Sequence, residues 1–190
     1  MTLDLAACSD GELAALTLAG RHTAFSEIMR RHRGPVYRMI CGQIGDAEEA
    51  LDLTQDCFVS AFQHLKSYDG GRSLRVWLTR IAINKSRDWI RHRRVRHILS
   101  FAWALPPDSI ENIQDDAPGQ DVAAADQAEL ARLRQAIARL PIALKEMLVL
   151  RTIEGLSQAE TAAALAISEK AVETRLYRAR TRLGAMLRII

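Results

Sequence analysis

Residues 105–129 divide the chain. This stretch carries Asp108, Glu111, Asp115, Asp116, Asp121, Asp126 and Glu129, no Lys or Arg, and Pro106, Pro107 and Pro118. Proline removes a backbone donor and like charges repel one another, so residues from about 100 to 121 are expected to form a linker with at most short helical turns, with a new helical unit starting at Val122. Folding must happen on either side, in units much shorter than the full 190 residues. Units of about 60–80 residues can just bury a workable core. The chain is rich in Ala, Leu, Arg, Glu and Gln, has few β-branched runs and contains only 5% aromatics. These are good helix formers. The expectation is an all-α chain of two small helical domains, 1–97 and 125–190, joined by a flexible acidic linker over 98–124.

Local signals place the helices. Ser9 with Glu12 is a capping box for a short first helix, with Gly20 at its end. Phe25, Ile28, Met29, Val36, Met39 and Ile40 follow at helical spacing. Gly34-Pro35 interrupts them, and a proline inside a helix costs about 3 kcal/mol, so a kink or restart is expected. Asp46 with Glu49 is a second capping box, followed by an apolar face of Ala50, Leu51, Leu53, Phe58, Ala61, Phe62 and Leu65. After a loop at residues 68–71, a third helix begins near Ser73 and carries Leu74, Trp77, Leu78, Ile81 and Ala82. It ends in the basic run Arg91, His92, Arg93, Arg94 and Arg96. Beyond the linker, Leu130, Leu133, Ile137 and Leu140 give one face. Pro141 breaks it, and Leu144, Met147, Leu148 and Leu150 give another.

The sharpest signal is near the C-terminus. Ser157 and Glu160 form a capping box, a short helix runs through Ala162, Ala163 and Leu165, and Ser168 is placed as the N-cap of a second helix. Two short helices joined by a tight turn, with Ile167 at the turn and Val172 facing back, make a helix-turn-helix. The second helix carries Lys170, Thr174, Arg175, Tyr177, Arg178, Arg180 and Arg182. Arginine suits guanine edges, and Arg, Lys, Thr and Tyr suit phosphates, so this helix is expected to bind DNA.

The run Trp77, Leu78, Arg80, Ile81, Ala82, Asn84, Asp88 and Arg91 resembles the promoter-melting domain of extracytoplasmic-function sigma factors, a group of the sigma-70 family. Asp46, Ala47, Glu48 and Glu49 through Gln55, Asp56 and Phe58 resemble the helix that precedes it. Residues 156–183 resemble the domain that reads the minus-thirty-five element. The three occur in the family's order and cover roughly 24–186.

The resemblance implies that Asp52, Gln55 and Asp56 hold core RNA polymerase. It implies a minus-ten site made of Tyr68, Asp69, Arg72, Arg80, Asn84, Lys85, Arg87 and Arg91, with Asn84 at a flipped base. It implies a minus-thirty-five site made of Arg151, Lys170, Thr174, Arg175, Tyr177 and Arg178. Helical register favours a core role for Trp77; for Trp89 the pattern does not decide between core and stacking platform. Lys170-Ala171-Val172 and Glu173 depart from the family pattern, which leaves the promoter sequence open. Thr161 departs too, in packing. An acidic linker threading into polymerase would mimic RNA. Family members are commonly held inactive by an anti-sigma factor, often membrane-bound. Core polymerase, promoter DNA and an anti-sigma factor are therefore the expected partners.

Other classes fit less well. The net charge of +3 is modest, and the basic character lies in the flanks. No phosphate loop, nucleophile motif or metal cluster is visible, so neither catalysis, cofactor nor small-molecule substrate is expected. The five histidines are scattered, and three lie beside Arg on basic helices, which suits exposure. Cys8, Cys41 and Cys57 are too few and too widely spaced for a disulfide framework or a zinc site, and Cys41 and Cys57 read as reduced core thiols. No apolar run approaches the ~20 residues of a membrane span, and cytoplasmic residence is expected. The rival reading is a stand-alone helix-turn-helix regulator, which leaves the Trp77 motif and the acidic helix unexplained.

Overall fold

The computed structural model describes residues 3–103 and 121–189. Asp108, Glu111, Asp115 and Asp116 of the linker lie outside these residues, as does Ile190. The described elements are helical: α1 (Asp10–Leu18), α2 (His22–Ile44), α3 (Ala47–Gln63), α4 (Leu74–Trp103), α5 (Asp121–Ala138), α6 (Ile142–Leu148), α7 (Gln158–Leu165) and α8 (Glu169–Ile189). A 3₁₀ turn follows α3 at Leu65–Ser67, and a π-helical turn follows α6 at Val149–Ile153. None of the described helices is long and apolar enough to cross a membrane.

Two capping boxes form as the sequence predicts. Ser9 accepts from the Glu12 amide at 3.3 Å, and the Glu12 carboxylate accepts from the Ser9 amide at 2.7 Å. Ser157 and Glu160 repeat this at 3.1 and 2.8 Å. The third box forms by half. Asp46 caps the Glu49 amide at 3.1 Å, but the Glu49 carboxylate turns away to accept from Trp89 Nε1 at 2.9 Å. That bond ties α4 to α3 and settles Trp89 as a half-buried structural residue, with Arg93 stacked 4.9 Å from its ring centre.

Gly34-Pro35 neither breaks nor restarts the helix: α2 runs unbroken from His22 to Ile44 with Pro35 inside. The cost of the proline is offset by the face it keeps continuous, since Ala24, Phe25 and Ile28 before it and Val36, Met39 and Ile40 after it enter one core. Three other expectations change. Leu51 and Phe62 of α3 are exposed, while Ala50, Leu53, Cys57, Phe58 and Ala61 are buried; about 100° per residue puts positions 51 and 62 beyond the buried stripe. The basic run after Arg91 does not end α4, which continues to Trp103. His32 is drawn in by Asp10, whose Oδ2 lies 2.9 Å from His32 Nε2 and whose Oδ1 accepts from Arg31 at 3.1 Å.

The two halves share a core. Leu74, Leu78, Ala82 and Ile83 of α4 meet α2 and α3, and Met147, Val149, Leu150 and Leu156 of the second half join the same cluster. Within the second half, Leu140, Leu148 and Ala179 form a smaller cluster where α6 meets α8. Pro141 stands as the N-cap of α6, the break its sequence position predicts.

Burial also sets cysteine chemistry. Cys57 is fully buried, and burial pushes its thiol up to about 12. The thiolate is the reacting species. At pH 8 a thiol-disulfide reagent is therefore expected to label the half-buried Cys8 and Cys41 but not Cys57, until denaturant is added. Rapid labelling of all three in the folded protein would contradict this placement.

Candidate nucleic-acid interface

On α4, about 100° per residue places Arg80, Asn84, Arg87 and Arg91 within a stripe roughly 60° wide. All four residues are exposed. Three cations around an amide suit a single strand, with the guanidinium groups on phosphates and the amide at a base edge. Arg91 is steadied by Asp88 at 2.9 Å. Arg87 is turned aside toward the second half, where the Glu146 carboxylate accepts from its Nε at 2.6 Å. Lys85 does not share the stripe. It is half-buried and lines a groove of about 580 Å³ between α3 and α4, with Leu53, Asp56 and Trp89.

The loop before α4 is closed on itself. The Tyr68 hydroxyl donates to the Arg72 carbonyl at 2.6 Å. Asp69 accepts from the Gly71 amide at 3.0 Å and lies 3.2 Å from Arg72 Nε. Tyr68 also packs on Trp77, with ring centres 5.5 Å apart. Trp77 itself packs against the core, as its register predicts, so the core residue and the loop are mechanically joined.

On α3, Asp52, Gln55 and Asp56 are all exposed, at positions i, i+3 and i+4 of one face. Leu53, Thr54, Cys57 and Phe58 are buried behind them. The face is acidic and suits a basic partner surface.

The second half holds the helix-turn-helix. Ser168 caps α8 by accepting from the Ala171 amide at 3.2 Å. Ala166 makes the turn in the left-handed region at φ 53°, a conformation that glycine adopts more cheaply. Val172 is fully buried, and Ile167 is half-buried. Lys170, Thr174, Tyr177 and Arg178 are exposed, and Tyr177 is 72% exposed, unusual for so large a ring. Arg175 is half-buried, at the edge of that face. Glu173 pairs with Lys170 at 2.8 Å, so one acid holds a lysine within the basic surface. Thr161, fully buried, donates to the Ser157 carbonyl at 2.8 Å and leaves no orphan hydroxyl. Arg151, in the π-helical turn, donates to the Leu156 carbonyl and so braces the entry to α7.

Sequence reasoning missed Glu146 and Glu154, which are buried where the two halves meet. The signal was present: Glu146 sits within the apolar run of Leu144, Met147 and Leu148, where an unpaired carboxylate would be costly.

Comparison with known proteins follows the same division. The model of sigma-70 region 2 matches residues 28–96, and that of sigma-70 region 4 matches residues 130–183. RNA polymerase sigma factor CnrH of Cupriavidus metallidurans is 39% identical over 181 residues, 94% of each chain. The ECF RNA polymerase sigma factor SigM of Mycobacterium tuberculosis is 31% identical over 179 residues, 94% of this chain and 85% of SigM. The solved structure of CnrH in complex with the cytosolic domain of CnrY superposes with a TM-score of 0.70 at 32% identity, covering 95% of this chain and 97% of CnrH.

Proposed function

The chain belongs to the extracytoplasmic-function group of the sigma-70 family of RNA polymerase sigma factors, and we propose that α3 holds core polymerase while α4 and α8 read the two elements of a promoter. The observation that carries this division of labour is the stripe of Arg80, Asn84 and Arg91, exposed on the helix that follows the acidic face of α3. Asp52, Gln55 and Asp56 take the polymerase. Tyr68, Asp69 and Arg72 shape the pocket for a flipped minus-ten base, with Asn84 at its edge. Arg80, Arg87 and Arg91 hold strand phosphates, and Lys85 acts from the neighbouring groove. Arg151 braces the helix-turn-helix, and Lys170, Thr174, Arg175, Tyr177 and Arg178 read the minus-thirty-five element.

The protein works in the cytoplasm, where polymerase and template meet, and has no catalytic step, cofactor or small-molecule substrate of its own. CnrH is bound by the cytosolic domain of CnrY, and this chain is likewise controlled by an anti-sigma factor with a cytosolic domain.

Run-off transcription with core polymerase tests the reading. The chain should direct transcripts from a promoter that core polymerase alone ignores. Asn84→Ala should lower open-complex formation about tenfold while leaving co-purification with polymerase unchanged; one lost base contact is worth about 1–3 kcal/mol. DNA binding without polymerase, and no transcript, would point instead to a stand-alone helix-turn-helix regulator.

A further inference from the structure

Glu173 is an acid on the basic outward face of α8. Val172 and Ala179 are fully buried, and at about 100° per residue the direction opposite them belongs to Lys170, Thr174 and Tyr177. Arg178 flanks these three on one side and Glu173 on the other, each roughly 60–80° from Lys170. All five residues are exposed. The carboxylate therefore looks outward with the cations, into the space a duplex would fill.

Two ordinary reasons for an acid at this position do not hold. A carboxylate near a helix N-terminus is stabilised by the helix dipole, but the effect fades beyond the first turn. Glu169 occupies that turn, and Glu173 lies in the next. An ion pair on a helix surface can also stabilise, and Glu173 Oε2 lies 2.8 Å from Lys170 Nζ. Here the pair is weak. Its side chains are 59% and 82% exposed, and lysine preceding glutamate is the less favourable order along a helix. Neither contact offsets the repulsion a carboxylate meets beside DNA phosphates.

On this face only a donor carried by the DNA compensates the charge. In the major groove guanine shows two acceptors and thymine one, and adenine sets an acceptor, N7, beside its N6 donor. Cytosine shows its N4 amino group with no acceptor beside it on the same base, which suits a carboxylate. The recognition helix of a helix-turn-helix meets base edges with its N-terminal residues, and Glu173 is in that part of α8. Lys170, one turn earlier, holds the carboxylate in place and partly neutralises it.

We propose that Glu173 sets one letter of the promoter, accepting a hydrogen bond from the N4 amino group of a cytosine in the minus-thirty-five element while Lys170 aims its carboxylate. The proposal rests on the reading of α8 as the helix that meets this element.

A promoter library tests it, with each minus-thirty-five position carrying all four base pairs in turn. The full chain with core polymerase selects from the library, and the promoters in open complexes are sequenced. Wild type should favour a C·G pair at one position about tenfold over the other three. Glu173→Ala should erase that preference while preferences at the other positions persist. Glu173→Gln should move it from cytosine to adenine at the same position, because an amide accepts from N6 and donates to N7. A merely structural role would not switch a letter, and thermal melting followed by circular dichroism checks that both variants fold. A cytosine preference that survives Glu173→Ala would overturn the proposal. So would a gain in affinity for every sequence alike, since the carboxylate would then only repel phosphate. If wild type used every minus-thirty-five sequence equally, the reading of α8 itself would fail, and the proposal with it.

Discussion

Leu78→Ala is expected to destabilise the first domain by about 2–5 kcal/mol, in the upper part of that range. Leu78 is 1% exposed, and its carbonyl lies 3.9 Å from Cys57 Sγ of α3. It lines a cavity of about 10 Å³ with Val36 and Met39 of α2 and with Glu154 of the second half. Truncation would enlarge a void that the surrounding side chains already fail to close, so relaxation can recover little. The loss would be felt where it matters for recognition, because Trp77 beside it carries the Tyr68 loop. All three tryptophans, Trp77, Trp89 and Trp103, lie on α4. Urea unfolding followed by tryptophan fluorescence therefore reads the half that carries α4, and its midpoint should fall sharply. An unchanged midpoint would mean that Leu78 is not where three helices meet.

What the sequence could show was mostly local. Ser9 with Glu12 and Ser157 with Glu160 are pairs three residues apart, and their caps form as expected. Pro141 stops one helix and starts another for reasons contained in its own ring. At Pro35 the restart did not occur, because tertiary burial on both sides of the residue outweighed a local penalty. Local reasoning failed at Glu49, where the capping partner competed with Trp89, 40 positions away, and lost. Glu146 and Arg87 are 59 positions apart. No periodicity links them: Glu146 stands out within its apolar run, but nothing in the sequence says which cation meets it.

The candidate site divides along the same line. Arg80, Asn84 and Arg91 were named through the resemblance, and the helical period of α4 puts them on one exposed stripe. The withdrawal of Arg87 from that stripe, and the turning of Lys85 toward the α3 groove, depend on what packs beside α4.

Val172→Asp should unfold the helix-turn-helix and abolish minus-thirty-five binding while the first domain stays folded. Val172 is fully buried in the shared core, at the first turn of α8 behind the cap made by Ser168. A carboxylate placed there has no partner, and an uncompensated buried charge costs about 3–5 kcal/mol. At roughly 0.05–0.15 kcal/mol per residue, a unit of this size holds only about 3–10 kcal/mol in total. The substitution therefore consumes most of the margin. Circular dichroism should lose much of the second half's helical signal, while tryptophan fluorescence, which reads α4, keeps a folded spectrum. Tyr177→Ala is the counterpart. Its ring is 72% exposed, so stability should hold within about 0.5 kcal/mol while minus-thirty-five binding falls. If Tyr177→Ala destabilised the fold as Val172→Asp does, Tyr177 would be a packing residue and α8 would present a different face to DNA. If Val172→Asp left DNA binding intact, the turn between α7 and α8 would not be what aims the recognition helix.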